Sequence, residues 1–218
     1  MVNDVAVLSL MRLVSPALPV GGFAYSQGFE YAVDCGWVTS AEEAESWLRG
    51  VVQNGHAQLD IPLLCRLYQS AESPESFAVW NQRVLACRET KEFRLEEKQI
   101  GRALWRLLRD LDESLPALKT PTWLGAFAFA ARRWNVECRQ ACLGFLWNWL
   151  ENQLTVAAKT VPIGQTDVQR ISQRMLPVLV RAVDNGMTLE DDDINGGLPG
   201  VVMASMLHET QYSRLFRS

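Results

Sequence analysis

Apolar residues recur at three- and four-residue spacing through almost the whole chain, which restricts it to helices packed on helices. No run alternates with a period of two between hairpin signals, and no segment repeats another. The expectation is one compact all-α domain of about eight to ten helices. A first helix covers Asp4 to Val14, apolar nearly all round and so expected to be buried on most sides. Ser15-Pro16 ends it, and two prolines and two glycines shape the loop through Gly22. The pattern resumes at about Phe23 and stops at Gly36 as a C-cap. Ser40-Ala41-Glu42-Glu43 reads as a capping box for a helix to about Gly55. The next runs from about His56 to Ser70, where Pro62 requires a first-turn position or a kink.

Ser73-Pro74-Glu75 opens a long helix that the pattern carries to Asp110, with seams at Phe77/Trp80/Val84/Cys87 and Ile100/Leu104/Leu107/Leu111. Between the seams, Arg88 to Lys98 is dense in charge. Its helical neighbours are as often like-charged (Glu92 with Glu96) as opposite (Arg88 with Glu92), so local pairing does not explain it. Bridges to other helices and a solvated face both stay open. Thr120-Pro121 begins a helix through Arg133, and Val136 to about Lys159 is a central helix, apolar on two faces. Thr166-Asp167-Val168-Gln169 reads as a second capping box, for a helix to Asn185-Gly186 that Pro177 should bend. An acidic loop follows, then a short helix near Pro199 to Leu207 and a tail, His208 to Ser218.

Composition excludes several functions. The 218 residues form no Pro/Gly/Ser-rich linker, and eight tryptophans are too many for a disordered chain. A net charge of -4 argues against a nucleic-acid surface. The longest nearly apolar run, Trp123 to Ala131, is about half of the roughly 20 residues that a membrane helix needs. Met1-Val2-Asn3-Asp4 lacks the basic region of a secretory signal, so a cytoplasmic location is expected. The five cysteines form an odd set without a CxxC and are read as reduced, packing thiols.

Catalytic chemistry is hard to place. The two histidines, His56 and His208, show no metal-binding spacing and are read as structural or surface residues. Cys138 and Cys142 lie one helical turn apart, but beside Phe145 and Trp149 they read as core rather than as ligands. Asp191-Asp192-Asp193 lacks the alternation and closing glutamate of a calcium loop, which leaves a solvated loop. Pro19-Val20-Gly21-Gly22-Phe23 carries no phosphate-loop ending, and Ser26 has no nucleophile elbow around it. No catalytic residue, metal ligand or cofactor is assigned.

What remains is contact chemistry. The tail combines two arginines, two aromatics, a leucine and a histidine, a mixture typical of binding surfaces. Tyr25, Ser26, Gln27, Glu30 and Tyr31 suit a packed helix face and an interface equally well.

Four blocks in order, Ser15-Pro16-Ala17-Leu18-Pro19-Val20-Gly21-Gly22-Phe23-Ala24-Tyr25-Ser26-Gln27-Gly28-Phe29-Glu30, Cys87-Arg88-Glu89-Thr90, Lys159-Thr160-Val161-Pro162-Ile163-Gly164-Gln165, and His208 to Ser218, resemble the signatures of the UreF family of urease accessory proteins. The resemblance implies an all-helical homodimer without enzymatic activity. In that family the protein bridges UreD (also called UreH) and the GTPase UreG, and the complex delivers nickel to the urease apoprotein. It implies a division into a body, residues 1–207, and a partner-binding tail, residues 208–218, mobile until UreD orders it. The UreD-facing residues it implies are Tyr25, Tyr212, Arg214, Leu215, Phe216 and Arg217. Glu30 and Lys159 are the implied modulators of UreG. Few metal ligands converge in the sequence, so the chain is expected to shape a route or a GTPase conformation rather than hold nickel tightly. Two alternatives stand beside this reading. One is a generic helical interaction module. The other is a helical hydrolase using Ser26 or a buried acid, which requires a strongly perturbed pKa in a cleft.

Overall fold

A computed structural model describes residues 3–217 as ten α-helices with no strand among them. Met1 and Val2, part of the N-terminus read against a leader, and Ser218, the last residue of the expected tail, lie outside the described residues. The helices are α1 (Asp4–Leu13), α2 (Phe29–Asp34), α3 (Ala41–Val51), α4 (Asp60–Ser70) and α5 (Pro74–Ala86). They continue with α6 (Lys91–Asp110), α7 (Trp123–Arg133), α8 (Cys138–Thr160), α9 (Gln165–Gly186) and α10 (Pro199–His208). Every residue of α7 from Leu124 to Ala131 is buried, because α1, α4, α5, α6 and α8 surround it. Helix α8 joins this centre to α9 and α2, and α10 lies across α2 and α6. Among the described residues no helix is long and apolar enough to cross a membrane.

Several expected boundaries move, each for a local reason. The long helix is two helices, since the backbone breaks at Cys87-Arg88-Glu89-Thr90 and Thr90 caps α6, its Oγ1 accepting from Phe93 N at 3.1 Å. The expected helix from Phe23 is only a 3₁₀ turn, Gly22–Ala24. Gln27 (φ 55°) and Gly28 (φ 81°) are both left-handed, which interrupts any helix before Phe29. Gly28 is required there: a Cβ would sit 2.7 Å from the Ser205 backbone nitrogen where α10 crosses.

The capping box at Ser40 is split. Ser40 Oγ accepts from Glu43 N, but the Glu43 carboxylate accepts from Thr39 N at 2.7 Å instead of returning to Ser40. Helix α7 is capped by Thr122, not Thr120, and α9 starts at Gln165 with no side-chain cap, so Thr166 lies inside its first turn. Pro62 falls in the first turn of α4 and Pro177 inside α9. The largest correction concerns α1. Only Ala6 and Leu13 are buried, while Val5, Leu8 and Met11 form an exposed apolar stripe. Apolarity all round a helix does not say which side finds a neighbour, and α1 lies at the surface on α7 and α8.

Candidate functional site

The tail turns back onto the body instead of extending from it. Helix α10 includes His208, which is fully buried, and the chain then reverses so that Phe216 packs into the core at 7% exposure. Glu30, at the start of α2, holds the returning stretch of chain: Oε1 accepts from Leu215 N at 2.6 Å and Oε2 from Phe216 N at 3.0 Å. The Arg217 amide donates to the Ala24 carbonyl at 2.7 Å. Lys159, at the end of α8, places its ammonium 5.4 Å from the centre of the Phe216 ring, within cation–π range.

His208 lies between two carboxylates, with Nε2 3.2 Å from Glu30 and Nδ1 3.1 Å from both oxygens of Glu92. Both ring nitrogens facing carboxylates is the geometry of an imidazolium. Burial alone would lower the His208 pKa, but Glu92 and then Glu30 outweigh it and raise it. Arg214 reaches the same Glu92 at 3.5 Å. Burial raises the Tyr25 hydroxyl, which donates to Gln99 at 2.6 Å, while Arg217 beside it acts in the opposite sense. Tyr212 is fully exposed and Leu215 largely so.

Behind this surface the fold forms a partly open cavity of about 130 Å³, lined by apolar groups such as Leu13, Phe23, Ile100 and Trp123 and by several charged ones. Arg88 Nη2 bridges Asp60 Oδ1 at 2.6 Å and Glu97 Oε1 at 2.5 Å, and His56 Nδ1 meets Asp60 Oδ2 at 2.7 Å. Burial would raise Asp60, yet Arg88 and His56 hold it well below the usual carboxylate range. Glu96 differs. Its Oε1 accepts from Gln27 Nε2 at 2.8 Å, it forms no ion pair among the described residues, and burial pushes its pKa up to about 8. Gln27 in turn accepts from Trp149 Nε1 at 2.7 Å. Glu96 Oε2 and His56 Nε2 are buried without hydrogen-bond partners.

Comparison with known proteins decides the family. The UreF family model matches residues 38–176. A urease accessory protein UreF of Chromohalobacter salexigens is 49% identical over 99% of this chain and 96% of its own length. Those of Alkalilimnicola ehrlichii and Hahella chejuensis are each 47% identical, over 96% and 98% of this chain and 94% and 98% of their own lengths. This chain belongs to the UreF family. UreF proteins are accessory proteins, not enzymes, and the hydrolase alternative falls with that. Glu96 meets its demand for a displaced pKa in a cavity, but Ser26 is completely buried and offers no hydroxyl to a substrate.

Six of the eight residues singled out in the sequence for this UreF-family chain meet in one place. Tyr25, Glu30, Lys159, Arg214, Phe216 and Arg217 lie in or beside the tail seat, from which Tyr212 and Leu215 project. Glu30 is buried beneath the tail, so any partner reaches it through that segment. Sequence reasoning missed His208 and Glu92 as the clasp of the seat, and Asp60, Arg88, Glu96 and Glu97 as a buried network. The charge density between Arg88 and Lys98, unexplained by local pairing, was the available signal.

Proposed function

We propose that this UreF-family chain is a urease maturation adaptor that bridges UreD/UreH and the GTPase UreG and couples GTP hydrolysis to nickel insertion into the urease apoprotein. The observation that carries the reading is the seat of the tail. Its backbone is fastened to Glu30 and its ring to Lys159, while Tyr212 and Leu215 stay exposed. An exposed aromatic and an aliphatic held on a fixed backbone suit a hot-spot segment, because little ordering entropy is left to lose on binding. Met203, Met206 and Leu207 on α10 extend the same apolar segment.

UreD takes residues 208–218, with Arg214 and Arg217 exposed on that surface and Tyr25 and Phe216 shaping it from beneath. Glu30 and Lys159 then modulate UreG through the seated tail rather than as free surface groups. UreD binding favours the seated conformation, and that conformation selects one state of UreG. The exposed stripe of Val5, Leu8 and Met11 on α1 supports association of two copies as a homodimer. The adaptor acts in the cytoplasm.

A double substitution, Tyr212→Ala with Leu215→Asp, tests the reading with little risk to folding, since both side chains face solvent. UreD capture in a pull-down should fall at least tenfold with the helical circular dichroism unchanged. Undiminished capture overturns the tail as the UreD site. In the reconstituted complex, GTP hydrolysis by UreG should change on Lys159→Ala.

A further inference from the structure

Three of the five free cysteines converge where α4 meets the start of α8. Cys65 Sγ lies 3.7 Å from Cys142 Sγ and 3.7 Å from Cys138 Sγ, and all three sulfurs fall within 4.8 Å of one another. The sequence displayed only the pair Cys138 and Cys142, one turn apart, and read them as core. Cys65 arrives from 73 residues upstream and changes the chemistry. A disulfide has its sulfurs about 2.05 Å apart, so none of the three is bonded. Two thiolates on one metal ion, each with a bond of about 2.3 Å, are separated by about 3.8 Å at a tetrahedral angle and about 4.0 Å at a trigonal one. The observed spacing is that of ligands around a shared centre.

We propose that Cys65, Cys138 and Cys142 form a binding site for a single monovalent copper ion. Soft thiolates select monovalent copper, zinc or iron–sulfur clusters. Zinc takes four ligands in closed sites, and among the described residues no further histidine, cysteine or carboxylate joins this group. Monovalent copper is satisfied by three sulfurs in a plane. Divalent nickel favours nitrogen and oxygen in square-planar arrays, which this site does not supply.

The position of Cys138 favours a thiolate there. Cys138 is the first residue of α8, where the helix dipole favours negative charge. Cys65 and Cys142 are buried and Cys138 half-buried, so entry is from the Cys138 side and the bound ion is shielded from water. On binding, each coordinating thiol releases its proton to solvent as its sulfur bonds the ion, and nothing is oxidised or reduced.

The test is an anaerobic titration of the full chain with monovalent copper against a chromophoric copper(I) chelator. One copper per chain should be retained, with thiolate-to-copper absorption in the near ultraviolet and three sulfur neighbours in the copper X-ray absorption spectrum. Cys35→Ala and Cys87→Ala should retain it, whereas Cys138→Ala, at the half-buried position, should weaken retention at least tenfold with unchanged circular dichroism. Lack of retention by the wild-type chain overturns the proposal, as does a copper spectrum without three sulfurs. Tighter binding of zinc or nickel in parallel titrations also overturns it. Retention and both spectra are measured on the wild-type chain, so these outcomes stand even where a variant misfolds.

Discussion

Removing the Glu30 carboxylate should free the tail. Glu30 accepts from two consecutive amides and faces His208, and it is only 5% exposed, so solvent screens these contacts little. A hydrogen bond to a charged group contributes about 1.5–3 kcal/mol, which puts the two amide bonds at roughly 3–6 kcal/mol before His208 is considered. The tail can swing into water and resolvate its amides, so the loss should appear as local opening rather than global unfolding. At about 1.4 kcal/mol per factor of ten, even a loss of about 3 kcal/mol lowers the ratio of seated to open tail more than a hundredfold. Native-state hydrogen exchange by nuclear magnetic resonance reads this directly. In Glu30→Ala the amides of Leu215 and Phe216 should lose at least a hundredfold protection while amides in α7 keep theirs. Glu30→Gln, which retains one acceptor, should fall between. Unchanged protection at Leu215 and Phe216 would refute the assignment of Glu30 as the anchor.

Three further outcomes follow from the same geometry. His208 has a raised pKa, so its charged contacts with Glu92 and Glu30 are fully present below its unfolded value and are lost as pH rises through the folded one. Protection of the tail amides should therefore drop on the alkaline side, and a pH-independent profile would sink the imidazolium clasp. Glu96, pushed up from 4.5 to about 8, costs stability progressively as pH rises between those values, on the order of a few kcal/mol at the upper end. Urea unfolding of Glu96→Gln should show little gain at about pH 5 and a growing one towards about pH 8.5, and a constant difference would contradict a buried neutral acid. A Cβ on Gly101 would sit 2.4 Å from the Thr122 carbonyl carbon and 2.5 Å from the Pro121 oxygen, both backbone atoms. Gly101→Ala should lower the melting temperature by roughly 2–12 °C, from about 1–3 kcal/mol of overpacking, and an unchanged value would mean that the α6–α7 crossing yields to the added methyl without cost.

The helices were legible because burial imposes a 3.6-residue period on the sequence, and α4, α7, α8 and α9 lie close to where that period puts them. The break at Cys87 to Thr90 was hidden because the apolar seams on either side continue in phase. The charged stretch was hidden for a different reason. A lone sequence assigns carboxylates to water, yet Glu92, Glu96 and Glu97 are all buried, and their partners His208, Gln27 and Arg88 lie on separate segments of the chain. The tail seat had the same obscurity, since Glu30 and Phe216 are 186 residues apart and no periodicity links them. Resemblance named those residues one by one, but only folding showed that they touch.

That contact changes what the tail can do as a signal. A segment that hangs free reports only whether a partner has caught it, whereas one seated on Glu30 has two states whose balance a partner can bias. The clasp connects that balance to the body: Glu92 and Glu96 stand one turn apart on α6, the first held by His208 and Arg214 and the second facing the cavity beside Gln27 and Trp149. Unseating the tail takes Arg214 from Glu92 at one end of that turn and loosens His208, and the carboxyl at the other end is the one in the network with no ion pair of its own. If the two are coupled, substitution of Glu30 should shift the titration of Glu96. The carboxyl carbon resonance of Glu96, followed against pH in wild type and Glu30→Ala, measures that coupling. Superimposable curves would confine the effect of the tail to the surface and leave the cavity mechanically separate from partner binding.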